Sequence, residues 1–380
     1  MASPAQSVEN GFSQTSYSVI EELSQALKIG GERERLRILH RVADLFTVGS
    51  RGYSGEQIAL FDDILQELAA DVETEVRARL ANQLAHLDTA PPNFVRVLAF
   101  DDEITVAEPV LTHSRQLSDA DLIENAGAKS QKHLLAIAKR LELSEAITDV
   151  LIDRGNRTVL QTVVRNKGAR ISLAGYRTLT TRARGDRYLT LALGARGDLP
   201  RQFFLKLLEE ASASVRERLE QSDPQAVPAI RSAVEQVATA MQEETREGSS
   251  AFAAAAFDAK RRTNIAPFSE ASIHSRARAQ DFERAAIALS RFGGIPIDMV
   301  ERALLDKGED MVLILAKAAG CNWTTAKELL LMYVAERDLQ DEDLVRSYER
   351  YQSLSEGTAK KVVRFYQSSM KLRSSEHADQ

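Results

Sequence analysis

The sequence Arg154-Gly155-Asn156-Arg157 recurs in similar form 30 residues later as Arg184-Gly185-Asp186-Arg187. Each stretch opens a segment of about thirty residues, the first ending at Ala183 and the second at Ala211. We predict that Gly permits the backbone reversal that ends the preceding helix, and that Asn or Asp caps the next helix by accepting backbone N–H bonds. Each segment is therefore predicted to hold two short helices joined by a tight turn.

The same period extends along much of the chain. Apolar residues at matching helix positions are spaced by 25 to 30 residues in two series: Val76, Val106, Leu134, Val159, Leu189 and Val215 in first helices, and Val95, Leu122, Ile147, Tyr176 and Phe204 in second helices. Around one of these positions, Leu134, Ile137 and Leu141 are predicted to form an inner stripe. A short helix pair cannot bury its apolar face alone, and stacking of successive pairs buries it. We therefore predict an all-α fold, a right-handed α-solenoid of short helix pairs with a smaller C-terminal helical module.

Changes of rhythm and composition divide the chain into segments. Gly248-Ser249-Ser250 and Pro267 interrupt the helical pattern, and turns at Gly294 and Gly320 mark its return. The predicted segments are a disordered N-terminus (1–16), an array of helix pairs (17–246), a hinge (247–270), a C-terminal helical module (271–372) and a disordered tail (373–380).

The composition excludes several classes of protein. Cys321 is the only cysteine, so no intramolecular disulfide is possible and a reducing compartment is favoured. The first residues lack the basic and apolar regions of a signal peptide. No apolar run approaches the roughly 18 residues needed to span a bilayer. We therefore expect a cytoplasmic protein without a membrane partner.

Short motifs in two parts of the chain carry a resemblance to a known family. They are Asp101-Asp102-Glu103, Val106-Ala107, Pro109-Val110-Leu111, Leu117-Ser118 and Asp121-Leu122, then Phe292-Gly293-Gly294-Ile295-Pro296, Ala318-Ala319-Gly320-Cys321 and Trp323-Thr324. These motifs resemble the HEAT-like helical repeats of a bacterial family known as a domain of unknown function. The resemblance covers about residues 60 to 370. It implies an all-α fold of HEAT-like pairs in a bacterial cytoplasm, and it carries over no catalytic residue.

The sequence offers no cofactor motif, and its candidates for catalysis or metal binding each have a structural interpretation. His86 and His113 occupy equivalent repeat positions near helix ends, where a positive charge is favourable; a stacked metal or acid–base site is the alternative. Cys321 is typical of a small buried apolar residue, although a distant base would make it a nucleophile. The tripeptides Arg184-Gly185-Asp186 and Arg196-Gly197-Asp198 fall at helix boundaries, where capping explains them. We therefore predict no catalytic residue and no metal ligand.

A basic block is the best candidate for a functional site. Between Asp153 and Arg201 there are eleven Lys or Arg and three acidic residues, a local charge of +8 in a chain of net charge −6. The candidate partner-binding residues are Arg157, Arg165, Arg170, Arg177, Arg184 and Arg187. The seven-residue spacing of Arg170, Arg177 and Arg184 predicts one side of a second helix. Arginine binds carboxylate and phosphate bidentately.

These features favour a non-enzymatic scaffold or adaptor that binds an acidic protein or peptide on a basic concave surface. A nucleic-acid or phosphorylated-ligand binder using the same arginines is an alternative, disfavoured because aromatic residues are not interleaved with them and the chain is acidic overall. A solvated face without a partner is another alternative. An enzyme with a site between the array and the C-terminal module is a further one.

Overall fold

The structure is a computed structural model that describes residues 32–69, 72–249, 252–254, 257, 269–306, 308–332 and 341–375. Over these residues the chain forms twenty α-helices, one short 3-10 helix and no strand, which confirms the all-α prediction. The chain divides into two compact units, Met1–Asp198 and Leu199–Gln380. The predicted disordered N-terminus, most of the predicted hinge at 247–270 and residues 376–380 of the predicted tail lie outside the described residues.

The first unit is built from short helices joined by short loops. They are α1 (Glu32–Gly49), α2 (Gly55–Ala69), α3 (Thr74–Leu84), α4 (Pro92–Ala99), α5 (Ile104–His113), α6 (Asp119–Ala128), α7 (Gln131–Ala138), α8 (Glu145–Arg154), α9 (Arg157–Arg165), α10 (Leu173–Arg182) and α11 (Arg187–Gly194). Side-chain oxygens cap many of their first turns, which is why the chain can start a helix so often. The capping residues include Ser118, Ser144, Asn156, Ser172 and Asp186.

The two glycines of the repeated stretch serve different purposes. Gly185 has φ +76°, the left-handed conformation predicted for a backbone reversal. Gly155 has φ −66°, which any residue adopts, so the same prediction is wrong there. A Cβ on Gly155 would lie 2.3 Å from the carbonyl oxygen of Leu151. Glycine is needed at this position because the backbone packs closely against the preceding helix.

The helices of the first unit pack in two series. The odd-numbered helices contact one another in the order α1, α3, α5, α7, α9 and α11. Among the even-numbered helices, α2 packs on α4, α6 packs on α8, and α8 packs on α10. Helices that are two apart in the chain are therefore spatial neighbours, as expected when each helix pair buries its apolar face against the next pair.

Most of the predicted core positions of the first unit are buried, and the exceptions are Val76 and Leu141. Val106, Leu134, Val159 and Leu189 of the odd series, and Val95, Leu122, Ile147 and Tyr176 of the even series, are all at most 2% exposed. Val76 in α3 is half-buried. Leu141 is 82% exposed, against prediction, because α7 ends at Ala138 and the residue lies in the following loop.

The periodic pattern breaks at the start of the second unit. Helix α12 runs from Arg201 to Ser222, so the segment from Arg184 does not close with a second short helix. Val215, predicted to be a core position, is 48% exposed. Phe203 is buried instead of Phe204, which is half-buried. The predicted array extends to residue 246, whereas the compact unit ends at Asp198.

The second unit combines a hairpin of two long helices with a bundle of shorter ones. Its helices are α12 (Arg201–Ser222), α13 (Val227–Gly248), α14 (Glu270–Arg278), α15 (Phe282–Gly293), α16 (Ile297–Leu305), α17 (Asp310–Ala318), α18 (Trp323–Leu331), α19 (Asp341–Ser353) and α20 (Glu356–Ser375). Gly294 and Gly320 have φ +61° and +82°, as their predicted turns require. The core contains Ile273, Leu289, Val300, Leu315 and Leu329.

Candidate functional site

Four arginines of the first unit connect successive helix pairs. Each donates hydrogen bonds from its guanidinium to backbone carbonyl groups that lie 26 to 32 residues earlier in the chain. They are Arg140, Arg154, Arg182 and Arg196. The acceptors lie at or just after helix C-termini, where carbonyls lack intrahelical partners and the helix dipole favours a positive charge.

Arg196 shows how completely such a side chain is engaged. Its Nη1 donates to the carbonyl oxygens of Val164 and Asn166, each at 2.9 Å, and its Nη2 donates to that of Ala169 at 2.9 Å. Its Nε and Nη2 also bind the Asp198 carboxylate at 2.8 and 2.7 Å. The Arg196-Gly197-Asp198 tripeptide therefore has a structural role at this position.

Arg157 is also engaged within the fold. It is the first residue of α9, and its Nε and Nη2 bind the carboxylate of Asp186 at 2.5 and 2.8 Å. This contact lowers the pKa of Asp186, chiefly through the hydrogen bond from Arg157. Many of the arginines behind the local +8 charge are therefore engaged in contacts within the protein, because Arg154, Arg182 and Arg196 bind backbone carbonyl groups as well.

The six arginines singled out in the sequence do not converge on one helix face. Arg157 and Arg165 are the first and last residues of α9, so at 1.5 Å rise per residue their Cα atoms lie about 12 Å apart. Only Arg177 lies within α10, which spans ten residues. Arg170 precedes that helix and Arg184 follows it. The prediction that the seven-residue spacing puts Arg170, Arg177 and Arg184 on one side of a helix is therefore wrong.

The two groups of arginines have different surroundings. Arg184 and Arg187 are exposed and flank Asp186 in the α10–α11 connection, where Arg157 is bound. Arg177 is half-buried, and its Nε is buried without a hydrogen-bond partner among the described residues. Arg165 and Arg170 belong instead to the opposite end of α9.

The α9–α10 connection carries three exposed cations. Arg165, Lys167 and Arg170 all face solvent. Their side chains make no hydrogen bond or ion pair with any other residue in the described ranges. They are the part of the basic block that is available to a partner.

This connection lies directly beside the preceding one, between α7 and α8. The Leu143 amide donates to the Gly168 carbonyl at 3.1 Å, and the Arg170 amide donates to the Leu143 carbonyl at 3.0 Å, forming an isolated parallel bridge. A Cβ on Gly168 would lie 1.8 Å from the carbonyl oxygen of Leu141. The backbone of Leu141, whose side chain is 82% exposed, therefore lies against the connection that follows Arg165 and carries Lys167 and Arg170. We name Leu141, Arg165, Lys167 and Arg170 the basic edge.

Sequence reasoning found half of the basic edge. Arg165 and Arg170 are among the six candidate arginines. Lys167 is not, because only arginines were selected as candidates. Leu141 has the spacing of a core residue. Its position after Lys139-Arg140, two polar residues that end the apolar stripe of α7, was the available signal.

The histidine pair comes together as its repeat positions imply. The rings of His86 and His113 lie against each other at an interplanar angle of 37°, with centroids 4.6 Å apart, and both residues are exposed. Partial burial, together with the neighbouring His86 and Arg140, lowers the pKa of His113. Over the described residues, no group of three or more His, Cys, Asp or Glu side chains is arranged to hold a metal ion.

Cys321 has the surroundings of a structural residue. It is 6% exposed, and burial raises the pKa of its thiol to about 12. The Tyr351 hydroxyl donates to the Cys321 carbonyl at 2.5 Å. A cysteine nucleophile reacts as the thiolate, so this environment opposes the catalytic alternative and agrees with a buried apolar residue.

A buried ionic network in the second unit was not predicted. Arg201 binds both carboxylate oxygens of Glu301 at 3.1 Å, and the two side chains are 3% and 5% exposed. Arg246 binds Glu301 at 3.0 Å and also contacts Asp298. Arg201 lies 100 residues from Glu301 and Arg246 lies 55 residues from it, so no local pattern could reveal these pairs. The network fastens α12 and α13 to α16.

Comparison with known proteins gives a family and no further relative. A family model described as an uncharacterised protein conserved in bacteria (DUF2336) matches residues 106–364, more than half of the chain. No curated protein and no solved structure shows a significant match. Within the described ranges, every helix is too short or too polar to cross a bilayer. The matched span includes both sets of motifs from Val106 onward that resembled a bacterial domain of unknown function, and the chain therefore belongs to the DUF2336 family of bacterial proteins.

Proposed function

We propose that the protein is a non-enzymatic scaffold or adaptor. It binds, at the basic edge, an acidic protein segment that also contains leucine or another apolar residue. The observation that carries this proposal is that exposed Leu141 lies on a loop packed against the segment of exposed Arg165, Lys167 and Arg170, whose side chains form no ion pair with a described residue. Arginine pairs bidentately with carboxylates, and a neighbouring apolar side chain supplies an anchor that charge alone lacks. A cytoplasmic location fits the single cysteine.

The packing of the first unit supports an architecture suited to this role. We propose that its two helix series form a right-handed α-solenoid of HEAT-like pairs, as the residue spacing and the contacts between helices two apart favour. Loops at one end of such pairs then lie side by side, like the α7–α8 and α9–α10 connections. The basic edge would be a short ridge of two adjacent loops.

Binding of short peptides tests the proposal. Fluorescence anisotropy with labelled peptides that alternate Glu and Leu should show saturable binding to the wild-type chain. Arg165→Glu with Arg170→Glu should weaken binding at least tenfold, and Leu141→Asp should weaken it as well. Arg187→Glu, at an exposed arginine that begins α11, is the matched control and should leave affinity nearly unchanged. Equal losses in the control, or no binding at all, would contradict the proposal.

A binder of nucleic acid or a phosphorylated ligand is the second candidate, because three unpaired cations within six residues also fit phosphates. Salt dependence separates the two. Binding of an oligonucleotide through about three phosphates should weaken log-linearly with salt, with a slope of about −2 to −3. Peptide binding that depends on Leu141 should keep a larger salt-independent part. Oligonucleotide binding that is stronger than peptide binding and insensitive to Leu141→Asp would favour this candidate.

A further inference from the structure

Four successive connections of the first unit lie side by side. They join α3 to α4, α5 to α6, α7 to α8 and α9 to α10. The Gln116 side chain donates to the Asp88 carbonyl oxygen and links the first two. Arg140 Nη2 donates to the Ser114 carbonyl oxygen at 2.8 Å and links the second to the third. The isolated parallel bridge links the last two. The basic edge is therefore one end of a continuous row of four connections.

The His86–His113 pair occupies the other end of this row. His86 follows the end of α3, and His113 is the last residue of α5. Both residues are exposed, and their ring centroids lie 4.6 Å apart. Histidine changes its charge between about pH 5 and about pH 8, where lysine and arginine keep theirs. The row therefore ends in permanent cations on one side and in two titratable groups on the other.

The charged side chains near the pair are largely engaged with one another. Lys139 pairs with Glu108 of α5 at 2.8 Å, and Arg115 pairs with Asp88 at 3.4 Å. Arg140 adds a positive charge that acts on His113, and Asp119 of α6 acts on Arg140. The elements packed against the pair also carry Asp44 on α1, Arg79 on α3 and Arg96 on α4, the last bound by Asp121 and Glu124 of α6. Protonation of the imidazoles thus changes the charge at this end of the row while the paired groups keep theirs.

A bound anion and the protons on this pair should favour each other. Burial, His86 and Arg140 lower the pKa of His113, so that its imidazole is largely neutral at about pH 7. Carboxylates held nearby favour the charged imidazole. Because linkage is reciprocal, an acidic segment that favours protonation binds more tightly as the pH falls.

An extended segment of modest length spans the whole row. Helices α3, α5, α7 and α9 contact one another in that order. Packed helices lie about 8 to 10 Å apart, so the first and last of the four connections are about 24 to 30 Å apart. Since an extended chain covers about 3.3 Å per residue, about nine residues reach across the row, whereas about five cover only the basic edge.

We propose that the His86–His113 pair extends the basic edge into a proton-dependent binding surface, on which an acidic segment that crosses all four connections binds more tightly as the pH falls. This inference rests on the proposed binding of an acidic segment at the basic edge. The permanent cations hold the segment at any pH, and the histidines add affinity only when they are protonated.

Two labelled peptides that alternate Glu and Leu, of about 6 and about 12 residues, separate the two ends of the row. Fluorescence anisotropy at about pH 8.0 and about pH 5.5 compares their affinities, and Glu stays mostly ionised at both. The longer peptide should bind at least threefold more tightly at the lower pH. The shorter peptide should change by less than about twofold, because it reaches only Arg and Lys side chains. A similar gain for both peptides, or none for the longer one, would overturn the extension.

Histidine variants assign the effect to the pair. His86→Gln with His113→Gln should abolish the gain of the longer peptide at the lower pH and leave its affinity at the higher pH unchanged. His40→Gln, at a half-buried histidine of α1, is the matched control and should keep the gain. Helical circular dichroism at both pH values checks that each variant is folded. A gain that survives the double substitution would overturn the extension, whereas absence of short-peptide binding at the higher pH would contradict the basic edge itself.

Discussion

Asp186 binds Arg157 through both carboxylate oxygens, at 2.5 and 2.8 Å, and at the same time accepts the backbone N–H groups of Tyr188 and Leu189 at 3.1 Å. One side chain therefore caps α11 and joins it to the first turn of α9, one repeat earlier. Asn156, the equivalent residue of the earlier stretch, caps α9 through the Val159 amide. Asp186 differs from it by also binding an arginine of the earlier helix.

Removal of this cap should destabilise the first unit. Asp186→Ala is expected to lower the free energy of unfolding by about 1 kcal/mol, the usual effect of losing an N-cap acceptor. Asp186→Asn keeps an oxygen for the cap and should be less destabilising. Urea denaturation measures both. Asp153→Ala, an exposed acid in the last turn of α8, should have almost no effect; equal losses for Asn and Ala would contradict the capping role.

Asp62 should be more sensitive than its neighbour Asp63. The buried Asp62 carboxylate accepts the backbone N–H groups of Asn93 at 2.9 Å and Phe94 at 2.6 Å, so a residue of α2 caps α4. Asp62→Ala leaves two partly buried donors without a partner and is expected to reduce the free energy of unfolding by about 2 kcal/mol. Asp63→Ala, at an exposed position, should change it by less than about 0.5 kcal/mol. Similar urea midpoints for the two variants would refute this account.

Arg196 should not tolerate lysine. A single ammonium group cannot reproduce the fork that binds Val164, Asn166, Ala169 and Asp198. Arg196→Lys is expected to lower the free energy of unfolding by about 2 kcal/mol, as for loss of hydrogen bonds to a charged group. Arg187→Lys, at an exposed position, should be neutral in the same thermal or urea experiment. An unchanged free energy of unfolding in Arg196→Lys would show that the contacts with the carbonyl groups contribute little to stability.

His113 should make stability depend on pH. Its pKa is lowered by burial and by the neighbouring His86 and Arg140. At a pH just below the unperturbed histidine pKa, the unfolded chain therefore binds more protons than the folded chain. Stability is complete above about pH 6.5 and decreases as the pH falls from there toward the folded pKa. NMR titration should give a pKa below about 6.5, which His86→Ala raises.

His113→Gln should reduce the fall in urea midpoint between about pH 7.5 and about pH 5.5. His40→Gln, in the half-buried surroundings of α1, serves as the control and should preserve that fall. A His113 pKa at or above the ordinary value would refute the prediction.

Cys321 should be unreactive in the native chain. A thiol with a pKa of about 12 is almost wholly protonated at pH about 8, and only the thiolate attacks a disulfide reagent. Ellman's reagent should therefore label it slowly until denaturant is added, and Cys321→Ala should keep the peptide affinity of the basic edge. Rapid labelling of the folded chain would show that the thiol is accessible and would restore the nucleophile as a candidate.

The local features of the fold were readable from the sequence because their causes are local. Asn156 and Asp186 cap the helices that they were predicted to cap. The 25–30-residue spacing of buried positions such as Val106 and Leu134 follows from a helix pair of nearly constant length. The pattern failed where length itself changed, at the 22-residue helix α12.

The candidate site was less accessible to sequence reasoning. A count of charges treats Arg182 and Arg196 in the same way as Arg165 and Arg170, although the first two bind backbone carbonyl groups. Whether an arginine is engaged or exposed depends on which carbonyl group of the preceding helix pair lies within its reach. Periodicity also assigned Leu141 to the core, because the end of α7 at Ala138 was not evident from apolar spacing.

By itself, the sequence determined an all-helical chain, the turns between its helices, the period of its repeats and the bacterial family to which it belongs, since caps, glycine turns and apolar spacing act within a few residues. Only the tertiary structure decided which arginines are engaged by backbone carbonyl groups and that Arg201 and Glu301 meet in the interior. These outcomes depend on contacts between residues up to a hundred positions apart, and no local propensity encodes such contacts.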